Sequence, residues 1–285
     1  MTQQTVATAE ADAGVASPLV ILDPEQTALI KELDGVFTGW ATEAGAREIC
    51  PPPLYRISDL DKFDVYTNFP HLALVAGPLD PARVVDRAPG AGFEAEGLRS
   101  VRLGLSHATC YGAYLFYEGA TVAPQTLLTL VNRCFRNEDH YSGLRRLMSF
   151  QMREIVALGS FDHTQRILEC FTRRIEEFAS ALSVKLEKVP ASDPFFQRDG
   201  QRALMQKVSP VKYEFQHGDL AIASVNTHRN FFGERCEIRL PDGAFASTSC
   251  VAFGLERWLD VLTELHDGDA VSAAESVRTA ARAVA

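Results

Sequence analysis

The sequence predicts an α+β chain built on a mainly antiparallel sheet flanked by helices. Three observations carry this. Asn132–Gly159, NRCFRNEDHYSGLRRLMSFQMREIVALG, reads as strand, charged loop, strand, the longest hairpin signature in the chain. Val211–Gln216 and Leu220–Val225 read as a second antiparallel pair joined at His217-Gly218-Asp219. Between them, residues 161–183 carry Ile167, Leu168, Phe171, Ile175, Phe178 and Leu182, a helical stripe that needs a sheet to cover.

The elements follow in order. MTQQTVATAEADAGVAS has neither a basic nor an apolar leader region, so residues 1–20 are expected to form a disordered tail ahead of one domain at 21–285. Residues 25–44 place Leu29, Leu33, Val36, Phe37 and Trp40 at spacings of three and four, an amphipathic helix. Ala46–Ser58 holds three prolines and is expected to be an edge strand or turn. Between Lys62 and Gly119 the runs LALVAG and YGAYLFYEG are expected to be strands, separated by the Pro/Gly-rich loop PLDPARVVDRAPGAGFEAEG. Arg235–Leu240 is expected to be a further strand, Val251–Leu265 mostly helix, and Ser272–Ala285 an alanine-rich terminal helix.

Composition narrows the function. With 46% hydrophobic residues and no apolar run of membrane-spanning length, the chain reads as a globular protein of the cytoplasm. A net charge of −9 argues against non-specific nucleic-acid binding, which needs clustered Lys and Arg. The six cysteines form no CxxC pair and are expected to be reduced thiols, most of them small core residues.

Two segments carry chemistry. The first hairpin brings Phe135-Arg136-Asn137-Glu138 on one arm opposite Arg146, Phe150, Arg153 and Glu154 on the other. Guanidinium forks match phosphate oxygens and an aromatic face stacks on a base, although an exposed hairpin with ordinary surface charges accounts for the same composition. The second segment is Ser247–Trp258, a small-residue strand turning through Gly254 into a helix that opens with Glu256 and Arg257.

Together these segments resemble motifs 2 and 3 of the class II aminoacyl-tRNA synthetases, and the spacing within the first resembles seryl-tRNA synthetase in particular. The helix and proline strand at 25–58 resemble motif 1, the dimer-interface element. The resemblance implies an ATP site in which Arg136 holds the α-phosphate, Glu138 the adenine amino group and Arg146 the γ-phosphate end. Phe150 stacks on adenine in that scheme and Arg257 fixes the phosphates from the other side. Ala221–Arg235 resembles the strand before motif 3, but the glutamate that binds metal and ATP there is Ala221 here, a departure from the usual Mg²⁺ arrangement. Ser224 and Asn226 are also assigned to the ATP site, and together with Ser247–Ser249 they are expected to shape the substrate pocket toward a small side chain.

Cys110, Glu154 and Cys250 stand where archaeal-type seryl synthetases hold Zn²⁺ with a Cys-Glu-Cys trio whose open position takes the amino acid's amine. The plain alternative is two core thiols and a salt-bridge partner. The other cysteines and the scattered histidines His107, His140, His163, His217 and His228 receive no role. A zinc-containing seryl-synthetase-like core of this size, with no tRNA-binding domain or basic arm, resembles the bacterial amino acid:carrier-protein ligases. These activate glycine or alanine with ATP and pass it to the phosphopantetheine thiol of an acyl-carrier-type protein. The implied cofactors are Zn²⁺, ATP and Mg²⁺, and the implied assembly is a homodimer that does not take tRNA. The alternatives are an inactive synthetase paralogue with a scaffolding role and a truncated tRNA synthetase.

Overall fold

The computed structural model describes residues 18–83, 90, 92–196 and 211–284. The strands are β1 (Arg47–Glu48), β2 (Leu54–Arg56), β3 (Val75–Ala76), β4 (Leu103–Leu105), β5 (Gln125–Phe135), β6 (Ser149–Gly159), β7 (Glu187–Ala191), β8 (Lys212–His217), β9 (Leu220–Arg229) and β10 (Ser247–Gly254). The helices are α1 (Pro24–Glu43), α2 (Ile57–Asp61), α3 (Val65–Asn68), α4 (Tyr111–Phe116), α5 (Phe161–Ala181), α6 (Phe231–Arg235), α7 (Leu255–Leu265) and α8 (Ala270–Ala283). Among the described residues, one sheet of seven strands runs β1-β5-β6-β10-β9-β8-β7, and β2-β4-β3 form a small second sheet. Every pairing in the large sheet is antiparallel except β1 with β5.

Side chains alternate across a pleated strand, so each central strand presents two sets of residues. On one face Ile155, Ala157, Val225, Val251 and Phe253 pack against α1, α5, α7 and α8, with Phe37 stacked on Phe253 at 4.0 Å. On the other, Leu128, Leu130, Val156 and Leu158 pack beneath α4, α6 and Tyr55 of β2. That second face is covered at one end only, and the uncovered remainder is the floor of a cavity.

The helical stripes expected at 25–44 and 161–183 form α1 and α5. Asp23 caps α1 in a box with Gln26, and Ser160 caps α5 through the His163 amide. Arg153 of β6 is only 2% exposed on the helical face, and its guanidinium forks onto Asp34 of α1 at 2.7 and 2.8 Å. Its third nitrogen donates to Glu48 of β1 at 2.8 Å, so one residue ties helix, edge strand and sheet centre together.

Three expectations are corrected. Tyr111–Gly119 is no strand: Tyr111, Ala113 and Tyr114 are all buried, a pattern that fits one helical turn rather than alternation, and α4 results. Gly112 permits its docking, since a Cβ there would lie 2.6 Å from the Pro51 side chain. Arg235–Leu240 holds the end of α6 and a turn, with only isolated bridges from Arg239 to Thr121 and Phe245. Cys50 and Cys170 are exposed, whereas Cys134 and Cys236 are core residues as expected. In LALVAG only Val75 and Ala76 pair. Residues 1–17 of the expected tail, and 84–89 and 91 of the Pro/Gly loop, lie outside the described residues. Pro18 is described, and its carbonyl accepts from Met148 at 2.9 Å.

Candidate active site

The open face of the sheet encloses a cavity of about 510 Å³. Ten of the residues singled out from sequence line it: Cys110, Arg136, Glu138, Arg146, Phe150, Glu154, Ser224, Asn226, Cys250 and Arg257. Two expectations are corrected: Arg153 points to the opposite face of β6, onto Asp34, and Ser247–Ser249 do not line the cavity, Ser249 Oγ donating instead to the Thr164 carbonyl of α5. Register explains the convergence. Glu154, Ala252 and Ser224 form one cross-strand row, and Val156, Cys250 and Asn226 form the next. Side chains on these rows stand on the same face, within reach of their diagonal neighbours.

One end of the cavity is cationic. Arg136 Nε and Nη2 donate to the His107 carbonyl at 3.3 and 3.1 Å, and its guanidinium lies 5.1 Å from the Phe150 ring centre. Arg257, in the first turn of α7, donates to the carbonyls of Arg145 at 3.0 Å and Ala221 at 2.9 Å. Among the described residues neither guanidinium pairs with a carboxylate. Arg146 does, to Glu138 at 2.8 Å. Burial lowers the pKa of Arg257 to about 10, and the charges of Arg136 and Arg146 push the same way. Crowded guanidiniums held by neutral carbonyls repel one another, and a polyanion would relieve that repulsion.

The other end is a three-donor cluster. One ligand atom each of Cys110, Glu154 and Cys250 lies within 4.8 Å of the others, and all three residues are buried. Glu154 Oε1 accepts from the Thr109 amide at 3.1 Å, while Oε2 is buried with no hydrogen-bond partner among the described residues. Burial raises the Glu154 pKa; a hydrogen bond with Cys250, and then burial, raise that of the Cys110 thiol. An orphaned carboxylate oxygen beside two thiols is costly as it stands and is resolved by a divalent cation. Two sulfurs and one oxygen with an approach left open suit a catalytic zinc rather than a closed structural one. The donor set therefore fits the metal expected from the motifs.

Sequence reasoning missed His228, which lines the cavity 3.8 Å from the Cys250 sulfur. The signal was present, since Ser224, Asn226 and His228 step by two along one strand. It also missed Lys212 and Glu214, which join in an ion pair of 3.2 Å on β8, and the buried Glu256, whose Oε2 accepts from the Gln151 amide at 2.8 Å.

No protein-family model matches the chain. A search among characterised proteins finds amino acid–acyl-carrier-protein ligase 1 of Bradyrhizobium diazoefficiens, 33% identical over 242 residues, spanning 80% of this chain and 74% of that protein. The chain belongs to the amino acid–acyl-carrier-protein ligase family. Ligase 2 of the same organism is 32% identical over 234 residues, 76% of this chain and 69% of its own length. Among solved structures, the seryl-tRNA synthetase of M. kandleri in complex with A. aeolicus tRNASec superposes with a TM-score of 0.74 at 19% identity, covering 90% of this chain. This carrier-protein ligase homologue spans 56% of that synthetase chain, so the likeness concerns the class II catalytic fold. The α+β class II synthetase-like fold expected from the two motifs is thus the fold of the ligase family member described here. No helix among its described residues is long and apolar enough to cross a membrane.

Proposed function

We propose that the chain activates a small amino acid, glycine or alanine, with ATP as an aminoacyl-adenylate and transfers it to the phosphopantetheine thiol of a carrier protein. The observation that carries this reading is the pairing of ends in one cavity: at one, the guanidiniums of Arg136 and Arg257, which pair with no carboxylate among the described residues, and at the other a three-donor cluster with a carboxylate oxygen that has no hydrogen-bond partner among them.

In this reading Arg136 and Arg257 take the phosphate oxygens of ATP, with Mg²⁺ assisting the pyrophosphate. Their carbonyl partners hold the forks in place before substrate arrives, so little reorganisation is needed as negative charge develops. Phe150 offers a ring for adenine, and Glu138, ion-paired with Arg146, accepts from the adenine amino group. Cys110, Glu154 and Cys250 would hold Zn²⁺, which when bound offers an open position to the unprotonated amine of the amino acid. A carboxylate oxygen of the amino acid attacks the α-phosphorus, the bond to the bridging oxygen breaks and pyrophosphate departs. The prosthetic-group thiol then attacks the mixed anhydride, forming a thioester and releasing AMP and the thiol proton. No protein nucleophile is required. Tyr111 and Phe232 line the cavity along with Cys110 and Cys250, and these bulky rings favour a small side chain. A net charge of −9 favours a carrier protein over tRNA as acceptor. A homodimer in the cytoplasm completes the proposal.

Ala221, in place of a family glutamate, favours a second reading, a non-catalytic paralogue. Amino-acid-dependent ATP–pyrophosphate exchange across all twenty amino acids, with and without a zinc chelator, decides between them. Exchange with glycine or alanine that chelation abolishes is expected. No exchange from zinc-replete protein would overturn the ligase reading and leave the paralogue.

A further inference from the structure

Cys250 stands apart from the other donors in how its sulfur is held. Directly across the β9–β10 register, Asn226 donates an amide N–H to it at 3.3 Å. Two residues further along β9, His228 brings Nε2 to 3.8 Å from the same sulfur. The other imidazole nitrogen, Nδ1, meets the Tyr114 hydroxyl at 3.2 Å and Thr248 Oγ1 at 3.4 Å. Tyr114 is fully buried in α4, one turn beyond Cys110. The imidazole is clamped edge-on by Phe232 at 4.9 Å and 85°, and Phe232 is stacked on Tyr114 at 4.0 Å and 13°. A neutral imidazole that accepts a hydroxyl at Nδ1 must carry its proton on Nε2.

We propose that Tyr114, His228 and Cys250 form a positioning relay: the tyrosine hydroxyl fixes the Nε2–H tautomer of His228, and that N–H, with the Asn226 amide, aims the Cys250 sulfur as a thiolate ligand for a divalent metal. The relay rests on the metal reading given above. His228 is a positioning residue, acting through Cys250 rather than on the reacting atoms. Outer partners of this kind set ligand orientation and are worth about 10–100-fold in metal affinity.

The test loads the full chain with Co²⁺ and Zn²⁺ and follows two readouts: the thiolate-to-cobalt charge-transfer band, and zinc affinity by competition with a chromogenic chelator. His228→Leu is expected to weaken zinc by about 10–100-fold and to shift the cobalt band. His228→Gln, whose terminal amide replaces the Nε2–H donor, is expected to hold affinity within a few-fold of the unaltered protein. Tyr114→Phe is expected to follow His228→Leu in direction and carries the test if that variant does not fold, as judged by circular dichroism. Wild-type affinity and an unshifted band in a folded His228→Leu or Tyr114→Phe protein would overturn the relay alone, provided Cys250→Ser abolishes binding. Failure of the unaltered protein to bind either ion would overturn the metal reading and the relay with it.

Discussion

At the residue scale, Arg136 and Arg257 carry guanidiniums that form no salt bridge among the described residues. Their tethers are backbone carbonyls, so removing either side chain frees no carboxylate from an ion pair and, in the function proposed above, deletes a phosphate contact. Arg136→Ala and Arg257→Ala are each expected to lower kcat/KM for ATP–pyrophosphate exchange by about 100-fold or more, measured with the activating amino acid saturating. Arg257→Lys should rescue little, because one ammonium cannot reproduce a fork that reaches the carbonyls of Arg145 and Ala221 together. The residues that converge on the cavity were legible because spacing along a strand dictates which side chains share a face. Glu154 and Phe150 differ by four, Ser224 and Asn226 by two, and both intervals preserve the face. His228 obeys the same parity and was passed over because a lone histidine carries no motif. The exposure of Cys50 and Cys170 was not legible, since a thiol's burial depends on which strand or helix covers it.

At the element scale, two glycines that look alike in sequence have different reasons to exist. Gly159 ends β6 at φ +149°, and a Cβ there would sit 2.1 Å from the Pro124 carbonyl oxygen. Gly254, between β10 and α7, has φ −80°, and a Cβ would meet only the Arg257 side chain at 3.6 Å or beyond and the Ile222 carbonyl oxygen at 3.7 Å. Gly159→Ala is therefore expected to destabilise the fold by on the order of 3 kcal/mol in urea unfolding. Gly254→Ala is expected to stay within about 1 kcal/mol of the unaltered protein. Equal losses in the two variants would contradict this. The long periodic elements, α1, α5 and the β5–β6 hairpin, were legible because each repeats its pattern over several turns or pleats. The short α4 was not: a run of aromatic and small residues satisfies strand and helix alike, and only Pro51 and Tyr55, far off in sequence, decide the matter.

At the scale of the whole molecule, strand order was the least legible property, because β6 next to β10 joins segments about a hundred residues apart. The same long-range burial has a consequence for acid. His107 is buried, and burial first, then the charge of Arg136, lower its pKa to about 3. Once unfolded it titrates near 6.5, so between these values the unfolded chain binds the extra proton. Its contribution is fully present above pH 6.5 and is lost as pH falls toward 3. His107→Gln is expected to flatten the decline of Tm between pH 6.5 and 4; parallel curves for the two proteins would contradict the assignment. The last consequence concerns Arg153 and Glu154, adjacent residues of opposite charge on opposite faces of β6. A slip of one residue would thrust the guanidinium between two thiols and strand the carboxylate beneath α1, away from every partner it now has. Neither error is tolerable, so this pair of neighbours acts as a registration mark, and a sheet assembled out of step announces itself at its own centre.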